Sequence, residues 1–328
     1  MKAKKIISVI LTLALLCLAF VSCGESEELS SVSVGVISGP TGVGAVSLME
    51  KSANDETEGK YTFALAADQQ DAQAKFLNGD FDIVAMPTNL AAVLSAKGED
   101  IVVLTVNTYG VLYILDATGT VSTVADLAGK TITATGQGSN PEYILRYVLE
   151  ENGVENVNIE FMADASAISA AMINGTVEIA MLPQPVATST AIQAKNAGKN
   201  ITSVIDMTAE WDKIADDSAL MMGCMVTTQA FIDENPEEVN LFLKEYKASI
   251  EAVLADIEAA AALCEKHSII PKAAVAKQAI PKCNLAFVTG EEMKTNLEGY
   301  FSVLYAAKPA SVGGKLPADG FYYMGYEN

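Results

Sequence analysis

Apolar and polar residues alternate over residues 31–37 (SVSVGVI), a period of two that predicts a half-buried strand. The turn 38–42 (SGPTG) leads from it into an apolar helix. Further strands are predicted near 61–66, at 83–86 and at 101–106, separated by helices over 68–77 and 89–96. The 83–86 run contains no polar residue, as a parallel strand buried on both faces requires. Strands alternating with helices give a doubly wound α/β sheet. The rhythm breaks at 109–116, a strand with no helix before it, and restarts at 131–135. It continues through helix 141–150, strand 159–162, helix 165–173, strand 178–182, helix 186–194 and strand 201–205. A second unaccompanied strand, 221–226, is followed by long helices. In one of them Pro236 suits the first helical position and Glu237 and Glu238 favour the positive helix end. Val239, Phe242, Leu243, Tyr246 and Ile250 line up on its apolar face.

One segment occurs twice. FLNGDFDIVAMPT (76–88) returns 96 residues later as MINGTVEIAMLPQ (172–184), with Asn78 over Asn174, Gly79 over Gly175, Asp82 over Glu178 and Pro87 over Pro183. Each copy reads as a helix end, an Asn-Gly turn, a buried strand and a Pro-bearing loop. The loop 136–140 likewise aligns with 38–42. The chain has therefore built one α/β unit twice. The expected architecture is two doubly wound lobes joined by a two-strand hinge. Lobe 1 takes 31–108 and 226–328 with the C-terminal helices, and lobe 2 takes 109–225 with the hinge strands. Two such lobes enclose a cleft, and interdomain clefts bind small molecules.

The chain opens on an address. Lys2, Lys4 and Lys5 precede an apolar run over 6–21, too short for a membrane span of about 20 residues and typical of an export signal. Residues 1–22 are read as a lipoprotein signal peptide, Cys23 as the lipidated residue and 23–30 as a polar tether. Phe20 stands where such signals usually carry Leu. The formal net charge of −20 becomes −23 once the three leader lysines are removed, a surface that repels nucleic acid. Beyond the leader, Cys224, Cys264 and Cys283 leave two readings open: one Cys264–Cys283 disulfide, or three buried thiols.

Ligands of open α/β sheets bind beyond the carboxyl ends of the strands, often on helix N-termini. Four loops qualify, and the candidate ligand-binding residues are Pro40, Thr41 and Gly42; Pro87, Thr88 and Asn89; Gln137, Gly138, Ser139 and Asn140; and Pro183 with Gln184. Ser139 or Asn140 is placed to cap the helix begun by Pro141. Tyr109, at the crossing, offers a ring either for stacking on a ligand or for packing the hinge, and Trp211 is read as a core or surface anchor ahead of a wall of the cleft. Arg146 is the sole Arg and sits too far into its helix to clamp a carboxylate. His267, the sole His, follows Cys264 by three residues near a helix C-terminus, where a solvated imidazole is favoured. No catalytic residue, metal ligand or cofactor motif is assigned.

The segments DIVAMP (82–87), DLAGK (126–130), GQGSNP (136–141), MGCMV (222–226), FIDENP (231–236) and GGKLPADGFYY (313–323) occur in an order that resembles a known family. It is the type II solute-binding proteins of bacterial ABC importers, in the branch of nitrate, sulfonate, taurine and thiamine-pyrimidine-precursor binders. The resemblance implies a monomeric lipoprotein anchored to the outer face of the cell membrane, partnered by an ABC permease and its ATPase. Its ligand is expected to be a precursor pyrimidine or an aliphatic sulfonate. A sensing or adhesion lipoprotein and an enzyme of pyrimidine-precursor synthesis are the alternatives.

Overall fold

The computed structural model describes residues 29–215 and 218–326; the leader and Cys23 lie outside them. From β1 (Ser31–Ile37) the chain passes α1 (Pro40–Val43), α2 (Val46–Ala53), β2 (Lys60–Ala66), α3 (Gln69–Leu77), β3 (Ile83–Pro87), α4 (Thr88–Lys97) and β4 (Val102–Thr108). It then forms β5 (Leu112–Asp116), β6 (Thr131–Ala134), α5 (Asn140–Glu151), β7 (Asn158–Phe161), α6 (Ala165–Asn174), β8 (Ile179–Pro183), α7 (Val186–Asn196), β9 (Thr202–Asp206) and α8 (Met207–Trp211). The last run is β10 (Gly223–Thr227), α9 (Gln229–Glu234), α10 (Pro236–Ala255), α11 (Ile257–Lys266), α12 (Ala273–Ala279), β11 (Leu285–Val288) and α13 (Gly290–Ala307).

These strands make two sheets, ordered β11-β4-β10-β3-β1-β2 and β7-β6-β8-β5-β9. β1 runs parallel to β2 and β3, and β6 runs parallel to β7 and β8. The strands next to the chain crossings run the other way: β10 is antiparallel to β3 and β4, and β5 to β8 and β9. The two repeat strands, β3 and β8, are buried at every position but their closing Pro.

The outward crossing corrects the sequence reading. The ladder begins at Leu112, not Tyr109, because residues 109–111 are themselves the link between sheets. Gly110 sits where the two links pass: a Cβ there would lie 2.2 Å from Thr208 Oγ1 and 2.5 Å from Leu220 Cδ2. On the return, Met222 N–H donates to Thr108 O at 3.1 Å, and β10 begins one residue later.

The apolar face of α10 packs as its periodicity requires. Val239, Phe242, Leu243, Tyr246 and Ile250 are buried against Val34, Val36, Ile83, Ala85 and Leu104. Each such side chain contributes about 1.5–3 kcal/mol by leaving water. Cys224, Cys264 and Cys283 are free and buried, which resolves the cysteine alternatives in favour of three thiols. Burial pushes the Cys264 and Cys283 thiols up to about 12, far from the thiolate form that reacts. His267 departs from the expected solvated imidazole. It is half-buried, with Nε2 2.9 Å from Glu50 Oε2. Lys266 and then His267 hold the Glu50 carboxyl below its ordinary range.

Candidate functional site

A cleft of about 970 Å³ opens between the carboxyl ends of the two sheets. The sequence explains why it lies there. Each parallel strand ends at a turn from which a helix departs, so loops and helix N-termini collect on one side of each sheet. From the first sheet come Ser38 to Thr41 after β1, and Pro87 and Asn89 after β3. From the second come Thr135, Ser139 and Asn140 after β6, and Pro183 to Val186 after β8. The loop 268–271 closes one rim, held by Gly39 N–H donating to Ile269 O at 3.0 Å.

Eight of the candidate residues meet in this lining: Pro40, Thr41, Pro87, Asn89, Ser139, Asn140, Pro183 and Gln184. Five stand off it. Gly42 turns inward, where a Cβ would meet Ile37 O at 2.2 Å, so its missing side chain admits its own chain. Thr88 is fully buried: its N–H donates to Met222 O at 3.1 Å and its hydroxyl to Met221 O at 2.6 Å. Tyr109 is half-buried at the link, its N–H donating to Asn284 O at 2.9 Å. Burial, with the Glu292 and Asp212 carboxylates nearby, raises its phenol pKa. Gln137 and Gly138 point to solvent, and Gly138 N–H is taken by Glu142 at 2.6 Å. Trp211 is core, fully buried between Tyr147 at 4.8 Å and Tyr300 at 5.6 Å. Arg146 pairs with Glu142 at 2.7 Å and lies outside the cleft lining.

Sequence reasoning overlooked Gln69, Thr108, Thr135, Ser166 and Ser268, which also line the cleft. A signal existed for two of them. Gln69 and Ser166 follow Asp68 and Asp164, which N-cap α3 and α6 by accepting from N–H groups in the first turn. They belong to the loops after β2 and β7, strands as parallel as the four that were chosen.

Every lining residue among those described is uncharged, and none is aromatic. The polar groups are hydroxyls and amides, set among Pro, Leu, Ile, Val and Ala. The two amides buried deepest are incompletely satisfied. Asn140, 6% exposed, donates from Nδ2 to Tyr300 OH at 3.1 Å, while its Oδ1 has no partner. Gln184, 2% exposed, accepts at Oε1 from Thr188 Oγ1 at 2.7 Å, while its Nε2 has no partner. A buried amide atom without a partner costs about 1–3 kcal/mol. Four helices also begin here without a side-chain cap: α1 behind Gly39, α4 behind Pro87, α5 behind Ser139 and α7 behind Pro185. Ser139 holds the N-cap position, but its hydroxyl donates to Gly136 O at 2.7 Å.

The NMT1/THI5-like family model matches residues 60–260. No curated protein sequence matches the chain. Among solved structures it is similar to an ABC transporter protein from Parabacteroides distasonis, at 20% identity and a TM-score of 0.76. That match spans 90% of this chain and 99% of the other. It is also similar to the periplasmic aliphatic sulphonate binding protein SsuA from Escherichia coli, at 16% identity and 0.71, over 90% and 98%. A third is the alkanesulfonate-binding protein SsuA from Xanthomonas axonopodis bound to MOPS, at 15% and 0.63, over 89% and 96%. At these identities the likeness speaks to fold: the two-lobed α/β architecture with crossing strands is shared.

Proposed function

The chain belongs to the NMT1/THI5-like family, and on that premise we propose that it is the extracytoplasmic solute-binding protein of an ABC importer. It captures a small molecule in the cleft and delivers it to a permease and its ATPase, acting as a monomer tethered through lipidated Cys23. The lobes divide at the two links, near residues 108/109 and just before β10 at 222/223, and close about them. Ligand favours the closed form and so drives closure. The observation that carries this reading is an uncharged cleft between two sheets, built from the loops and helix starts that follow their parallel strands. Hydroxyls, amides and aliphatic walls supply reversible hydrogen bonding and apolar contact, which is the chemistry of capture and release.

The lining narrows the ligand. Its hydroxyls and amides donate and accept, and no charged side chain stands among them to pair an ion. A neutral molecule with donors and acceptors, such as an aminopyrimidine, suits it. A second reading, a sulfonate, is supported by the uncapped starts of α4, α5 and α7 and by the ligands of the two SsuA proteins. A helix end offers an anion about 0.3–1 kcal/mol. Burying an ion without a counter-charge costs several kcal/mol. The balance favours the neutral ligand. Thermal unfolding of the chain from residue 25 onward, against pyrimidines, sulfonates, nitrate and amino acids, tests both. Ligand at 100 times its Kd adds about 2.7 kcal/mol. A rise with aminopyrimidines is expected, a rise only with sulfonates selects the second reading, and no rise with any compound counts against solute capture.

A further inference from the structure

The cleft continues past its loops. A second cavity of about 600 Å³ shares Ser166, Pro185, Val186 and Pro271 with it and leads away along the helices. α6 lines this groove at residues 166, 169, 170 and 173, the three- and four-residue spacing of one helix face, and α7 lines it likewise from 185 to 196. At 1.5 Å per residue the groove runs about 10–15 Å from the cleft. Its other wall is the loop 270–272 with α12, which contributes Val275 and packs through Ala276 and Ala279 into the core of the first sheet. Both halves of the molecule therefore build it, as they build the cleft.

The groove is aliphatic in character. Ile173, Ile192 and Val275 are half-buried along it. Two of its hydroxyls are already engaged: Thr190 Oγ1 donates to Ser169 Oγ at 2.7 Å, and Gln193 Nε2 to Ser189 Oγ at 2.9 Å. Among the described lining residues only Lys272 is charged, and it is exposed. Such walls gain by covering methylene groups and offer an ion little in return for its lost water. Size points the same way. The cleft alone, at about 970 Å³, stands at the upper end of the roughly 300–1,000 Å³ in which pockets hold drug-sized molecules. A lone pyrimidine ring or an ethanesulfonate fills only part of it.

We infer that the groove is a second compartment of the binding site, and that the solute carries an uncharged aliphatic arm that runs from its head group in the cleft to lie between α6, α7 and α12. The inference rests on the solute-binding reading and deepens it: the substrate class is a polar head on an aliphatic arm, not a bare heterocycle or a short sulfonate. The cleft holds the head by hydrogen bonds, and the groove measures the arm. Because α6 and α7 belong to one lobe and α12 to the other, an arm seated there touches both and adds to the preference for the closed form.

Calorimetry on the chain from residue 25 onward tests this with two series, one for each head group: 4-aminopyrimidines bearing a methyl, butyl or hexyl arm at C2 or at C5, and methane-, butane- and hexanesulfonate. In the series whose head binds, each methylene taken into the groove should tighten binding about fourfold, so butyl should exceed methyl by more than about tenfold. Ala170→Trp on α6 and Ala274→Trp on α12 each place a ring in the groove from an exposed helix position outside the cleft lining. Each should abolish the gain of butyl over methyl and leave the Kd of the methyl compound unchanged. A wild type that binds the methyl compound and gains nothing from a longer arm would overturn the inference and leave the groove to another occupant, such as a segment of the permease. A gain that survives both Trp variants would overturn it too, because the arm would then lie elsewhere. A wild type that binds no member of either series would remove the solute-binding reading along with the inference, a result separable from the others because it appears before arm lengths or variants are compared.

Discussion

The two repeat segments, 76–88 and 172–184, share a backbone as far as their closing Pro and do different work beyond it. Both end a helix on a left-handed glycine, Gly79 at φ 80° and Gly175 at φ 84°. Both then bury a strand to its final Pro. At the residue after that Pro, each backbone N–H holds one of the two links: Thr88 donates to Met222 O and Gln184 to Val111 O. The side chains part there. Thr88 gives its hydroxyl to the link as well, bonding Met221 O. Gln184 leaves the link to its backbone, and its side chain, bonded by Thr188 Oγ1, stands in the cleft lining. A duplicated unit has kept the joint in both copies and set this position into the cleft lining in one.

Exchanging the two side chains breaks this comparison most sharply. Thr88→Gln forces a longer chain into a fully buried position and removes the bond to Met221, and should lower stability by about 2–4 kcal/mol in denaturant unfolding. Gln184→Thr keeps the backbone bond to Val111 but removes the acceptor of buried Thr188 Oγ1, and should cost less, about 1–2 kcal/mol, while weakening ligand. Next in size is the acidic pair. Asp82 accepts from Ser33 N and Oγ at 2.7 and 2.6 Å, so Asp82→Ala should cost about 1.5–3 kcal/mol. Glu178, its exposed counterpart, should tolerate Ala within about 0.5 kcal/mol. Gln184→Ala should raise the ligand Kd about tenfold by titration calorimetry, equivalent to about 1.4 kcal/mol. Gly79→Ala and Gly175→Ala should each cost about 1 kcal/mol, and the two values should agree because the caps do. Smallest is pH. No side chain in the cleft lining titrates near neutrality, so affinity for an uncharged ligand should stay flat from about pH 6 to 9. A bell-shaped profile would require an ionisable group that the cleft lining does not hold.

Much of this was legible in the chain. Strands such as 83–86, stripped of polar residues, can be little else than buried parallel strands, and the repeat doubled the signal. The apolar face of α10 is written at helical spacing and packs as written. The cleft was legible to the level of loops, since strand ends and helix starts fix where a sheet binds. It was not legible to the level of side chains. A loop has no period, so nothing in the sequence distinguishes the direction of Thr88 from that of Asn89, or of Gln137 from Ser139. Ser268 reaches the cleft from a turn between α11 and α12, far along the chain, and only tertiary packing brings it there. Asn140 was visible as a polar residue at a helix start. Its bond to Tyr300 joins residues 160 apart, and no local pattern announces it.

The division of labour between Thr88 and Gln184 has a consequence for descent. A substitution at 88 is tested first against the integrity of the joint, and most alternatives are purged before any ligand is met. Position 184 holds its link through a backbone N–H that every residue but proline possesses, so a change of side chain there leaves the joint intact and costs only the local bond to Thr188. Lineages of this scaffold should therefore acquire new substrates through the second copy of the repeat, with the first copy left as the conserved record of how the two halves were joined.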